Sequence, residues 1–208
     1  MKNNLFNKNI LQVKGVFHMN MRKATADDAP EIVNIMDYYM KNTAVHFSYK
    51  APEIDDFRQE MIYITEKFPF FVLEDKSSIK GFAYAKPFSD VPAYDWSCEL
   101  TIYIKEDFKR KGLGRKLYLA VEDAVKMMGI KNMYSYIAYT EREDEHLDNS
   151  SMRFHEKMGF ERVARFSKCG YKFDTWYDVI WMEKIIAEHE DHPNRIMSYR
   201  DLDEMAAR

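Results

Sequence analysis

Long apolar runs are missing from this chain. None of its 208 residues falls in a stretch approaching the roughly 18–20 apolar residues that a membrane span needs, so no membrane partner is expected. Cysteine is scarce. Cys98 and Cys169 are the only two, too few for a disulfide framework and suited to a reducing compartment. An excess of one charge is also lacking: 31 basic residues face 34 acidic ones, and a net charge of −3 gives no reason to expect nucleic acid. Residues 1–20 hold scattered apolar side chains without a continuous apolar core or a small-residue cleavage site, so no secretory signal is expected. Internal repeats are absent. These absences leave a soluble cytoplasmic protein as the expectation.

What is present is a core. Apolar residues make up 46% of the chain and aromatics 15%, which excludes disorder of the whole. The length suits one well-buried domain and is short for two. Residues 1–18 and 185–208 read as polar extensions, and 19–184 as the domain. Within it, Met21–Ala24 reads as a strand, and Thr25-Ala26-Asp27-Asp28 as a capping box opening a helix with Ile32, Ile35, Met36 and Tyr39 on one face. A second helix follows at 53–67, then a hairpin of strands 68–73 and 79–86. The strand 96–104 alternates. Trp96, Cys98, Leu100, Ile102 and Ile104 share one face; Ser97, Glu99, Thr101 and Tyr103 share the other. A helix from Leu113 to Met128 closes at Gly129. A strand at 133–139, an acidic loop at 141–148, a short helix ending at Gly159 and two last strands, 160–167 and 176–184, complete the domain. A long polar-aromatic connection joins the last two. Strands and helices mixed in this order predict one mixed, partly antiparallel sheet covered by helices.

The stretch Lys109-Arg110-Lys111-Gly112-Leu113-Gly114-Arg115 sits between an alternating strand and an amphipathic helix. Glycines let backbone approach a ligand closely, and a helix N-terminus offers unpaired N–H groups and the positive end of a dipole. With four basic residues around the glycines, this is a pyrophosphate cradle. It lacks the third glycine and downstream acid of a dinucleotide fingerprint, and the Gly-Lys-Ser/Thr of a P-loop. Coenzyme A is the remaining candidate. Glu99 lies within an apolar strand and looks either into a polar cleft or into solvent. A lone histidine such as His155 is usually structural or on the surface. Cys98 points to the apolar face and reads as a core thiol. His189-Glu190-Asp191-His192 lies in a polar tail without further ligands, so no metal is expected.

Four blocks in order carry a resemblance: Tyr94-Asp95-Trp96 with Glu99 and Tyr103; Gly112-Leu113-Gly114; Ser151 with Phe154-His155-Glu156-Lys157-Met158-Gly159-Phe160; and Gly170-Tyr171-Lys172-Phe173 with Trp176-Tyr177-Asp178. Over about residues 19–184 the chain resembles phosphinothricin N-acetyltransferases, of the GCN5-related (GNAT) N-acetyltransferase superfamily. The resemblance implies a single α/β domain of GNAT fold, with a mixed, largely antiparallel sheet splayed between Ile104 and the strand 133–139. It implies acetyl-CoA in that wedge, bonded by backbone groups of Ile102, Tyr103 and Ile104. Residues Lys109 to Gly114 would wrap the pyrophosphate, and Arg115 would cap it. Glu99 would be the general base that frees the amine, and a backbone N–H near Ile102 would hold the oxyanion. His155 would protonate the departing thiolate or help deprotonate the amine. Phe47, Tyr84, Tyr94 and Trp176 match acceptor-pocket aromatics, though each equally suits ordinary core packing. A homodimer with the acceptor site near its interface is implied too.

The chain departs from the family's pattern in three places. Its phosphate loop opens with Lys109 rather than Gln or Arg. Asp148 stands where Asn is usual, with Asn149 beside it. The loop Ser89-Asp90-Val91-Pro92 lacks two basic residues suited to an acidic amino-acid acceptor, while 141–148 is long and acidic. Acidic charge favours a cationic acceptor through attraction, so a polyamine, an aminoglycoside-like amine or an amino-acid amide stands beside an amino-acid-like acceptor. Lys86, Arg142 or a partner subunit are the alternatives for supplying the missing positive charge. Protein N-acetylation and a non-catalytic acyl-CoA sensor are the rival functions.

Overall fold

The computed structural model describes residues 19–206, so the N-terminal extension 1–18 lies outside the described residues. The elements run β1 (Asn20–Lys23), α1 (Ala29–Asn42), α2 (Ile54–Lys67), β2 (Phe70–Asp75), β3 (Ser78–Pro87), β4 (Ser97–Ile104), α3 (Leu113–Met128), β5 (Asn132–Tyr139), α4 (Ser150–Lys157), β6 (Glu161–Lys172), β7 (Thr175–Ile185) and α5 (Tyr199–Ala206). The seven strands form one sheet in the order β1-β2-β3-β4-β5-β7-β6. Every neighbouring pair is antiparallel except β4–β5, which is parallel. This is the mixed sheet that the element order predicts, largely antiparallel as the resemblance implies.

Local chemistry starts the helices where expected. The Thr25 N–H donates to the Asp28 carboxylate (2.8 Å), and a single 3-10 turn leads into α1, with Pro30 in its first turn where a missing N–H costs nothing. Gly112 and Gly129 bracket α3 in the left-handed region (φ 77° and 95°), conformations costly for any residue with a Cβ. Leu113, Leu117, Val121, Ala124, Val125 and Met128, which share one face of α3 by helical spacing, are all buried.

Cross-strand partners share a face. Phe82 and Tyr103 are partners, and Tyr39 of α1 packs on that side, 5.2 Å from Tyr103 between ring centroids. Phe71, Ala83 and Ile102 form a row on the opposite side, where Tyr199 of α5 meets Phe71 edge-on. Helices thus cover both faces. The first helix layer lies over Glu99, Thr101 and Tyr103; α3 lies over Leu100, Ile102 and Ile104.

Two regions differ from expectation. The connection between the last strands is strand itself. β6 continues to Lys172 and turns through Phe173 and Asp174, both at positive φ (51° and 56°), a two-residue hairpin. A register shift between Phe166 and Gly170 breaks the alternation and hides the strand from a period-two reading. Beyond β7, residues 186–206 pack back onto the domain. Ile186 N–H donates to Lys131 O, Met197 N–H to Met128 O, and Tyr199 is buried.

Candidate active site

The parallel pair β4–β5 is matched for only three residues: Ser97 with Asn132, Cys98 with Met133, Glu99 with Tyr134. Beyond Glu99 the strands diverge. The fork opens a cleft of about 1730 Å³ lined by β4 from Glu99 to Ile104, β5 from Ser135 to Ala138, the start of α3, the inner side of α4 and residues 45–52.

The register decides which backbone groups face this gap. Phe88 N–H donates to Ser97 O, and Lys105 N–H to Lys80 O, across β3. Antiparallel pairs alternate between bonded and non-bonded. Residues 97, 99, 101, 103 and 105 therefore spend their backbone groups on β3, and those of Leu100, Ile102 and Ile104 point into the gap. Tyr103 is thus a correction. Its backbone pairs with Phe82 and is turned away from the fork, although the residue itself borders the cleft. The Ile104 carbonyl accepts the Tyr39 hydroxyl, leaving its N–H and both groups of Ile102 on the open edge.

The glycine turn has the geometry of an anion cradle. Arg110 (φ 57°) and Gly112 (φ 77°) are both left-handed. The first bond of the α3 ladder, Lys116 N–H to Gly112 O, forms at 3.3 Å, so the N–H groups of Leu113, Gly114 and Arg115 precede the ladder. A Cβ added at Gly112 would meet nothing within 4 Å, so the space beside it is open for a ligand. Arg110 and Arg115 line the cleft without an ion-pair partner among the described residues. Lys109 is held by Glu106 (2.6 Å), and Lys111 turns back to Asp107 O (2.7 Å) and does not line the cleft. The donor set fits a coenzyme A pyrophosphate.

Glu99 and His155 enter from opposite faces of the sheet. Glu99 is half-buried on the α1 side, with Lys86 Nζ 3.5 Å away. His155 comes from α4, which packs beside α3 through Phe154 on Tyr118 (6.2 Å). Its Nδ1 lies 2.8 Å from Ser151 O. A carbonyl only accepts, so Nδ1 carries the proton and Nε2 a bare lone pair. Nε2 is buried without a protein partner, and burial pushes the His155 pKa down to about 4. At neutral pH the ring is an uncharged proton acceptor. In this state Nε2 can accept a hydrogen bond inside the cleft.

Ser135 is a residue that the sequence reading missed. It follows Tyr134, the partner of Glu99, and so takes the opposite face. Its hydroxyl is buried, unpartnered and lines the cleft at the fork. The available signal was a small polar residue between Met133 and Ile137 on an apolar face. Cys98 is fully buried, and burial pushes its thiol pKa up.

Of the four aromatics, Phe47 and Tyr84 line the cleft; Tyr94 and Trp176 do not. Tyr94 packs on Phe88 (5.5 Å) and borders a separate pocket of about 260 Å³. Its loop is drawn toward α2 by Tyr63, whose hydroxyl lies 3.2 Å from Asp90. Trp176 is 57% exposed beside Tyr171 at the β6–β7 hairpin.

Three carboxylates of the acidic loop are held by side chains from later elements. Glu141 pairs with Arg165 (2.8 Å), Glu143 with Arg153, and Asp144 accepts from the Tyr177 hydroxyl (2.8 Å) and two backbone N–H groups. Asp148 alone of the loop's carboxylates lines the cleft, and it accepts the Ser150 N–H (3.0 Å). Asn149 ties the loop to Thr140 through both ends of its amide. Among the described residues no cluster of three or more His, Cys, Asp or Glu is set to hold a metal, and no helix is long and apolar enough to cross a membrane.

The family model described as an acetyltransferase (GNAT) domain matches residues 21–181. The phosphinothricin N-acetyltransferase of Streptomyces viridochromogenes is 27% identical over 161 residues, 77% of this chain and 84% of that protein. An N-acetyltransferase structure from Staphylococcus aureus superposes with a TM-score of 0.72 at 26% identity, over 81% of this chain and 99% of that one. An acetyltransferase from Salmonella typhimurium, solved with its cofactor acetyl-CoA, superposes with a TM-score of 0.76 at 24% identity, over 85% of this chain and 98% of that one.

Proposed function

The chain belongs to the GNAT acetyltransferase family, and from that premise we propose that it acetylates the primary amine of a small, amino-acid-like acceptor by direct attack on acetyl-CoA. The observation that carries this reading is the fork. A half-buried carboxylate lies on one face, a neutral histidine on the other, and the unpaired edge of β4 between them, all continuous with an anion-ready helix start.

Acetyl-CoA, when bound, would supply the thioester whose carbonyl carbon takes the amine; its sulfur would leave as a thiolate and take up the proton that the acetylated nitrogen sheds, giving free coenzyme A. The chain's own groups do the rest. N–H groups at the start of α3, with Arg110 and Arg115, hold the pyrophosphate. The N–H groups of Ile102 and Ile104 on the open edge bond the ligand's amides and the developing oxyanion. Glu99 takes a proton from the acceptor's ammonium. His155 Nε2 accepts a second hydrogen bond from the cofactor side.

An amino-acid-like acceptor is favoured over a more cationic one, because Glu141, Glu143 and Asp144 of the acidic loop already have partners and only Asp148 lines the cleft. Lys86 and Lys50 line the acceptor end of the cleft and suit a carboxylate. The relative that acts on phosphinothricin, by its name, supports the same class. A thiol-release assay over amino acids, their amides, polyamines and aminoglycosides tests this. Amino acids should outrun the others. Lys50→Gln should raise KM for an amino acid ~10-fold and leave that for its amide unchanged; equal effects on both would refute the carboxylate's role.

A homodimer through β6 belongs to the same reading. β6 is an edge strand, exposed at every residue from Glu161 to Cys169, with Val163 and Phe166 among them. Free Cys98 and Cys169 fit a reducing compartment, the cytoplasm.

A further inference from the structure

We propose that Lys172 and Gly170 of β6 position the acceptor-side wall of the cleft, residues 43–50, and so set which amines it admits; this rests on the acceptor reading above. Neither residue takes part in the chemistry. Lys172 is 2% exposed. Its Nζ lies 2.7 Å from Met40 O, 2.9 Å from Thr43 O, 2.6 Å from His46 O and 2.9 Å from Ser48 O. Four carbonyls surround one ammonium, and among the described residues no carboxylate pairs with it. The first two belong to the C-terminal end of α1, where orphan carbonyls and the negative end of the helix dipole favour a cation. The other two lie in the wall itself.

The neighbours of Lys172 take further pieces of the same segment. Tyr171 O accepts the Tyr49 hydroxyl (2.7 Å). Gly170 leaves room for the Phe47 ring; a Cβ there would overlap it. Val45, His46, Phe47, Ser48 and Tyr49 in turn line the cleft. Three successive β6 residues thus hold a wall that precedes them by more than 120 positions. A purely structural lysine would need only one or two partners, and an apolar residue would fill its volume. Three N–H donors shared among four backbone carbonyls, each contact charge-assisted, instead tie the wall at Thr43, His46 and Ser48 to the end of α1.

Lys172→Met removes the charge at similar length. The variant should accelerate amide exchange at 43–50, raise the acceptor KM ~10-fold, and leave the acetyl-CoA KM within ~2-fold. Gly170→Ala displaces the Phe47 ring and should reorder the acceptor panel; in a Phe47→Leu background, where the ring is gone, adding Gly170→Ala should change the order no further. That pair decides the matter if Lys172→Met does not fold. Unchanged exchange at 43–50, or acceptor and acetyl-CoA KM rising together, would overturn the proposal. Faster exchange with an unaltered acceptor KM would overturn it as well. No thiol release from the wild-type chain with any amine would sink the transferase reading, while exchange would still report on the clamp by itself.

Discussion

The two loops that wall the cleft are built in opposite ways. The cofactor-side loop, 109–115, makes its site from its own backbone: two left-handed residues, a glycine with open space beside it and the first turn of α3. The acceptor-side loop, 43–50, has almost no backbone structure of its own and takes its shape from β6. On the proposed reading, a fixed ligand such as a pyrophosphate would be met by a local device. A variable one would be met by a loop whose position is set elsewhere. The two sides should therefore fail separately when altered.

The largest expected separation is at Glu99. Glu99→Gln should lower kcat by ~10²- to 10⁴-fold while acetyl-CoA binding, measured by calorimetry, stays the same. A parallel loss of cofactor affinity would break the division. Next comes Gly112→Ala. The added Cβ has room, so the cost is conformational alone, about 1–2 kcal/mol for a left-handed residue. Acetyl-CoA affinity should fall ~10-fold with the acceptor KM unmoved.

The smallest effect concerns acid. His155 is held near pKa 4 in the folded chain against about 6.5 unfolded. Between those values the unfolded chain binds a proton that the folded one refuses. Stability should thus be unaffected above pH ~6.5 and fall as pH drops toward 4, by at most about 1.4 kcal/mol per pH unit. Urea midpoints at pH 7 and 5 should show it, and His155→Gln should flatten it. A kcat profile in which His155 titrates between pH 6 and 8 would contradict the buried neutral ring.

What was legible in the sequence was local. The inward face of α3 follows from its period, and Gly112 and Gly129 from the dihedrals at its ends. Glu99 was half-legible. Alternation set its face, but only the three-residue match of β4 with β5 makes that face a cleft. Tyr103 was misjudged because backbone direction depends on the register with β3, which no single strand reveals. Tyr94 and Trp176 were drawn away by Asp90–Tyr63 and by the hairpin at 173–174. The acidic loop looked like an attractive surface because its partners, Arg153, Arg165 and Tyr177, come from later elements.

The open edge of β4 has a consequence for the lifetime of the protein. Both backbone groups of Ile102 and the N–H of Ile104 lack a neighbouring strand, and a ligand bound in the fork would complete the sheet there as a strand would. Ligand that binds only the folded chain adds about 2.7 kcal/mol at a hundred times its Kd. Degradation in the cell draws on the opened population. Abundance of this protein should therefore follow the supply of acyl-CoA, with turnover quickening when the metabolic pool runs low.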